Sequence, residues 1–139
     1  MLLQLSGSYS HHLHVLRGSC ISHTRDLALR AFMDNRLIKQ LWEEHKLAAF
    51  PQGYRGKDVK GVDLLMLDAD VAGCVDTFLS CGNLNLFQTA ILGLCYRNLS
   101  YLIPALSREG KAYYGRLELL AELVLKAVAD RDQKNHERG

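Results

Sequence analysis

The stretch KAYYGRLELLAELVLKAVAD, residues 111–130, decides the fold class of this chain. Four apolar residues recur in it at intervals of four, three and four positions: Leu117, Ala121, Val124 and Val128. Side chains at this spacing lie on one face of an α-helix. The sequence therefore predicts a helix over residues 111–130 with one buried face.

Three further helices are predicted upstream of this stretch. Their ranges are residues 22–49, 62–81 and 84–103, and Ser22 or Thr24 is the expected N-cap of the first. Each range is followed by residue types that stop helices: Phe50-Pro51, Gly82-Asn83 and Pro104. Residues 52–61 contain three glycines and three basic residues, a composition typical of a loop.

The two ends of the chain have different patterns. In residues 1–21 apolar and polar side chains alternate with a period of two, which predicts a short extended arm. Residues 133–139 are polar and are expected to form a frayed tail. We therefore predict an all-α protein: a single helical domain over residues 1–139, built as a compact array or bundle of four helices with a short extended N-terminal arm.

Composition excludes several classes of protein. The 139 residues are 48% hydrophobic, and 17 basic residues face 15 acidic ones, giving a formal net charge of +2. Because the charges are so nearly balanced, nucleic-acid binding is unlikely. Every long apolar stretch contains a charged or amide residue, so no membrane-spanning helix is expected. The four cysteines form no Cys-x-x-Cys pair and are interpreted as reduced thiols. Without a basic segment and apolar run typical of a signal peptide, a cytoplasmic location is expected.

A ligand-binding or catalytic pocket between the helices is one functional hypothesis. Helical wheels place six polar residues within or beside apolar arcs: Arg30, Asp34, His45, Asp68, Gln88 and Asn98. A carboxylate removed from water needs a partner, so Asp68 is expected to meet hydrogen-bond donors, to keep a proton or to face a wet cleft. The alternative is that Arg30 pairs with Asp34 along one helix and that Asp68 lies at a subunit contact.

Two weaker patterns point to an ion. The basic loop residues Arg55, Lys57 and Lys60 are candidates for contact with an anion, although a solvated turn is the alternative. His12 and His14 would point to one side of a strand and are candidate metal ligands, although a solvated polar arm is the alternative. No motif predicts a cofactor.

The preferred hypothesis is association without catalysis, as a homo-oligomer or as a subunit or regulator of a larger complex with a protein partner. It is motivated by a second apolar side of the fourth helix, and a small bundle cannot bury both sides. The residues of that side are Ala112, Tyr113, Tyr114, Leu119, Leu123 and Ala127. Whether the chain is an enzyme stays open.

Overall fold

The computed structural model describes the backbone of residues 2–138 and the side chains of residues 25–138. The chain divides into two compact units, Met1–Asp34 and Asn35–Gly139. Each unit is described by itself, and the expectation of a single domain stays a prediction.

The protein is all-α, as predicted, with four helices and one small hairpin. In chain order the elements are α1 (Leu2–Leu47), β1 (Asp58–Val59), β2 (Val62–Asp63), α2 (Leu64–Cys81), α3 (Leu86–Leu102), a short 3-10 helix (Ile103–Ala105) and α4 (Arg108–Arg138). The extended arm predicted for residues 1–21 falls within the bounds of α1 and stays a prediction. The side chains of that segment lie outside the described residues.

Both ends of α2 are fixed by a local residue, Asp63 at the start and Gly82 at the end. Asp63 Oδ1 accepts hydrogen bonds from the backbone amides of Leu65 at 2.9 Å and Met66 at 3.1 Å, so it caps two of the free amides at the helix start. Gly82 ends the helix with a φ of 79°, a left-handed conformation that favours glycine. The stop predicted at Gly82 is confirmed, whereas the predicted start at Val62 is wrong by two residues because Val62 and Asp63 pair with β1.

The hairpin occupies the loop predicted from composition. β1 and β2 pair antiparallel, with Asp58 opposite Asp63 and Val59 opposite Val62. Lys60 and Gly61 form the two-residue turn with φ values of 52° and 78°, as a type I′ turn requires.

The fourth helix is longer than its apolar repeat. It begins at Arg108, where Ser107 Oγ accepts from the amide of Gly110 at 3.2 Å, and it continues to Arg138. It thereby crosses residues 133–138, which were predicted as a frayed tail. These residues include good helix formers, and His136 and Arg138 lie in the last turn, where positive charge interacts favourably with the helix dipole.

The core of the second unit lies between α2, α3 and α4, which contact one another, and includes side chains from the end of α1. Its fully buried large side chains are Ile38, Leu64, Val71, Val75, Leu92, Leu99, Leu102, Tyr114, Leu117, Leu120 and Val124. The buried face predicted for α4 is confirmed. Among the residues described, none of the helices is long and apolar enough to cross a membrane.

Candidate functional site

A cluster of three polar side chains joins α1, α2 and α4. Asp68 Oδ1 lies 3.2 Å from His45 Nε2, and Asp68 Oδ2 accepts a hydrogen bond of 2.9 Å from the hydroxyl of Tyr113. The Asp68 side chain is 17% exposed and that of His45 is 5% exposed. Each oxygen of this largely buried carboxylate therefore has a protein partner.

Each residue of the cluster lies near one end of a helix. His45 lies in the last turn of α1 and Asp68 near the start of α2, while Tyr113 lies near the start of α4. Aromatic rings fix the imidazole: its centroid is 6.0 Å from that of Trp42 and 4.5 Å from that of Tyr113. Phe50, just after α1, packs edge-on against Tyr113 at 5.5 Å. The polar contacts of the cluster are therefore surrounded by packed aromatic rings.

Burial and the carboxylate both act on the phenol of Tyr113. Burial raises its pKa above the ordinary value, and the hydrogen bond to Asp68 with the charge of Asp68 raises it further. The neighbouring Tyr114 is fully buried and donates to the carbonyl of Leu64 at 2.9 Å, and burial followed by the charge of Asp68 raises its pKa too. Both phenols are therefore hydrogen-bond donors at neutral pH.

The chemistry available to this cluster is limited by its bonding. Both oxygens of Asp68 are engaged, and His45 Nδ1 is buried without a hydrogen-bond partner in the described part of the chain. The two contacts of Asp68 fill one acceptor position on each carboxylate oxygen, and they connect α2 to α1 and to α4. The arrangement suits a structural connection between α1, α2 and α4.

The structure brings together two of the six predicted pocket residues, His45 and Asp68. Gln88 forms a capping box at the start of α3, where its side chain accepts from the amide of Asn85 at 3.1 Å, and Asn98 is exposed. Arg30 is exposed and Asp34 half-buried, and both belong to the first unit.

Sequence reasoning missed Tyr113 as a member of the cluster, because it placed this residue on an outer surface. Tyrosine has a hydroxyl on a large apolar ring, and that hydroxyl usually finds a hydrogen-bond partner when the ring is buried. A tyrosine on a helix with one apolar face is therefore the signal that could have identified Tyr113.

Two of the three basic residues predicted to contact an anion are engaged with aromatic rings. Lys57 Nζ lies 5.4 Å from the centroid of Tyr54, and Lys60 Nζ lies 4.0 Å from that of Tyr101, whose carbonyl it also contacts at 3.2 Å. Arg55 is exposed. The anion contact stays a prediction.

The metal prediction falls elsewhere in the chain. His12 and His14 lie outside the residues whose side chains are described. Among the residues that are described, no group of three or more His, Cys, Asp or Glu side chains could hold a metal ion.

A stripe of exposed, mostly apolar residues runs along α3. Five exposed residues follow one another at intervals of three, four, three and four positions: Phe87, Ala90, Leu94, Arg97 and Tyr101. We call them the α3 stripe. Phe87, Leu94 and Tyr101 are 74%, 55% and 62% exposed. A helical wheel places Phe87 and Leu94 in the apolar arc of this helix, yet both are exposed, because α3 is apolar on nearly every side and a wheel cannot tell which side is buried.

The apolar surface predicted on α4 is much smaller than expected. Tyr113 and Tyr114 are buried, and Leu123 and Ala127 are half-buried against the core. In the described part of α4, Leu119 is the one large hydrophobic residue that is exposed, at 40%. No family model, curated protein or solved structure matches this chain, so the functional argument rests on these surfaces.

Proposed function

We propose that this protein acts by association, and that its working form is a homodimer. The observation that carries the proposal is the α3 stripe, in which two aromatic rings and a leucine are more than half exposed on one helix face. Single exposed apolar residues are common on proteins, whereas a contiguous apolar patch marks an interaction surface.

The composition of this face supports a protein partner. α3 has one charged residue, Arg97, and no acidic residue over its 17 positions. Interface cores are depleted in charged residues and enriched in aromatic residues and Arg. A face formed by Phe, Leu, Tyr and Arg has that composition.

The alternative hypothesis of a pocket centred on Asp68 has weaker support. His45 and Tyr113 contact both oxygens of that carboxylate, while Gln88 caps the start of α3 and Asn98 is exposed. Association is therefore the function that the geometry favours. The cytoplasmic location and a further protein partner stay predictions.

Sedimentation equilibrium of the purified chain tests this proposal. Over a concentration series from about 1 to 100 µM, the weight-average mass should rise from that of the 15.6 kDa chain to twice that value. A chain that sediments as a monomer throughout this range would overturn the proposal.

A further inference from the structure

We infer that the α3 stripe binds the α3 stripe of a second copy of this chain, with the two helices antiparallel and the two-fold axis beside Leu94. The inference rests on the proposed homodimer and names its surface and its arrangement.

The aromatic residues of the stripe are placed symmetrically about Leu94, whereas Ala90 and Arg97 are not. Phe87 precedes Leu94 by seven residues and Tyr101 follows it by seven, so an aromatic residue lies at each end and a leucine at the centre. In a two-fold contact the same patch serves both partners and must be complementary to itself. An antiparallel pairing places Phe87 of each copy opposite Tyr101 of the other, and the two copies of Leu94 opposite each other.

The charges on the stripe favour the antiparallel direction. Arg97 lies on the stripe, and Lys60 lies over the ring of Tyr101, so both cations are on the C-terminal side of Leu94. A parallel pairing would bring the four cations of two copies to the same end. The antiparallel pairing places each Arg97 opposite the Ala90–Ile91 segment of the other copy, and offsets the Cα atoms of the two Arg97 residues by about 9 Å along the axis.

The exposed area of the apolar residues sets an upper limit on what this pairing removes from water. A fully buried aromatic side chain covers about 150–250 Å², so the exposed parts of Phe87, Tyr101, Leu94 and the adjacent Leu86 together present on the order of 500 Å² per chain. Two copies would then bury about 1,000 Å² from these residues alone, which is the lower limit for a biological interface. Ala90, Arg97 and Asn98 add to this area at the edges of the contact.

The first experiment compares two leucine-to-glutamate variants of the full chain by sedimentation equilibrium. Leu94→Glu places two carboxylates beside the two-fold axis, and it should weaken dimerisation at least about 100-fold. Leu119→Glu makes the same change at an exposed leucine of α4 and should dimerise as the wild type does. Far-UV circular dichroism should give the same helix content for both variants.

The second experiment tests the direction of the helices by disulfide trapping. Leu94→Cys should form an intermolecular disulfide with its own copy, and a mixture of Phe87→Cys and Tyr101→Cys chains should cross-link with each other. Phe87→Cys alone should not, because antiparallel copies of position 87 lie about 21 Å apart along the axis. Cys20 and Cys81 are replaced by Ser, and the linked peptides are identified by mass spectrometry.

The outcomes separate this inference from the proposed function. If the wild type dimerises and Leu94→Glu dimerises equally well, the α3 pairing is wrong while the homodimer stands. If Leu119→Glu alone dissociates the dimer, the interface lies on α4. Cross-linking of Phe87→Cys with itself would show a parallel pairing and overturn the antiparallel arrangement, whereas a monomeric wild type would overturn the proposed function.

Discussion

Replacing Tyr113 by Phe removes one hydroxyl from the His45–Asp68–Tyr113 cluster and leaves the ring that packs against Phe50 and His45. The lost interaction is the 2.9 Å hydrogen bond to Asp68 Oδ2. A hydrogen bond to a charged group contributes about 1.5–3 kcal/mol. Because Asp68 is 17% exposed, water compensates for part of this loss, so we expect the free energy of unfolding to fall by about 1–2 kcal/mol.

Urea unfolding followed by circular dichroism, at pH 7 and one protein concentration, measures this loss. Tyr96→Phe is the matched control, because Tyr96 is half-buried on α3 and its hydroxyl has no hydrogen bond among the described residues. The control should lie within about 0.5 kcal/mol of the wild type. If Tyr113→Phe is as stable as Tyr96→Phe, the cluster does not connect the helices as we have argued.

The same variant should change the response to alkaline pH. Burial, and then Asp68, raise the pKa of Tyr113 in the folded protein, whereas a phenol in the unfolded chain titrates near pH 10. The folded state therefore binds this proton more tightly. Its contribution to stability is fully present below about pH 10 and is lost as the pH rises toward the folded pKa. Above pH 10 the wild type should lose stability more steeply than Tyr113→Phe, and equal slopes would contradict this prediction.

Two further predictions concern glycine and cysteine. In Gly110→Ala the new Cβ would lie 2.7 and 2.8 Å from Cζ and Cε2 of Tyr54, so the free energy of unfolding should fall by about 1–2 kcal/mol. Gly115 lies in open space on the same helix, so Gly115→Ala should raise the free energy of unfolding by about 0.5–1 kcal/mol. Thermal denaturation measures both changes. A stabilised Gly110→Ala would mean that Tyr54 does not hold this position. Burial, followed by the charge of a nearby aspartate, raises the pKa of Cys95 to about 11, whereas Cys81 is exposed. Mass spectrometry after brief alkylation at pH 8 should therefore find Cys81 modified and Cys95 protected. Equal labelling of the two thiols would contradict the assigned burial.

The elements that the sequence predicted well are those with a local cause. The stripe of α4 has one apolar face and a polar remainder, so the helix and its buried side follow from spacing alone. The stop at Gly82 follows from the backbone freedom of glycine. The cost of burying a lone carboxylate gave a reason to expect hydrogen-bond donors at Asp68, and His45 was one of several candidates.

The elements that could not be predicted depend on tertiary contacts. α3 is apolar around most of its circumference, so no wheel could show that Leu92 is buried while Leu94 is exposed. Gln88 is an exception, because it forms a capping box with Asn85 three residues earlier, a local signal that the helical wheel did not use. Tyr113 was assigned to the surface because its partner, Asp68, lies 45 residues earlier in the chain.

The measurement that tests the central claim most directly is sedimentation equilibrium of the wild type beside Leu94→Glu and Leu119→Glu at matched concentrations of about 100 µM, the upper end of the series. The account predicts twice the 15.6 kDa chain mass for the wild type and for Leu119→Glu, and the single chain mass for Leu94→Glu. A wild-type chain that sediments as a monomer, or a Leu94→Glu chain that remains a dimer, would contradict it.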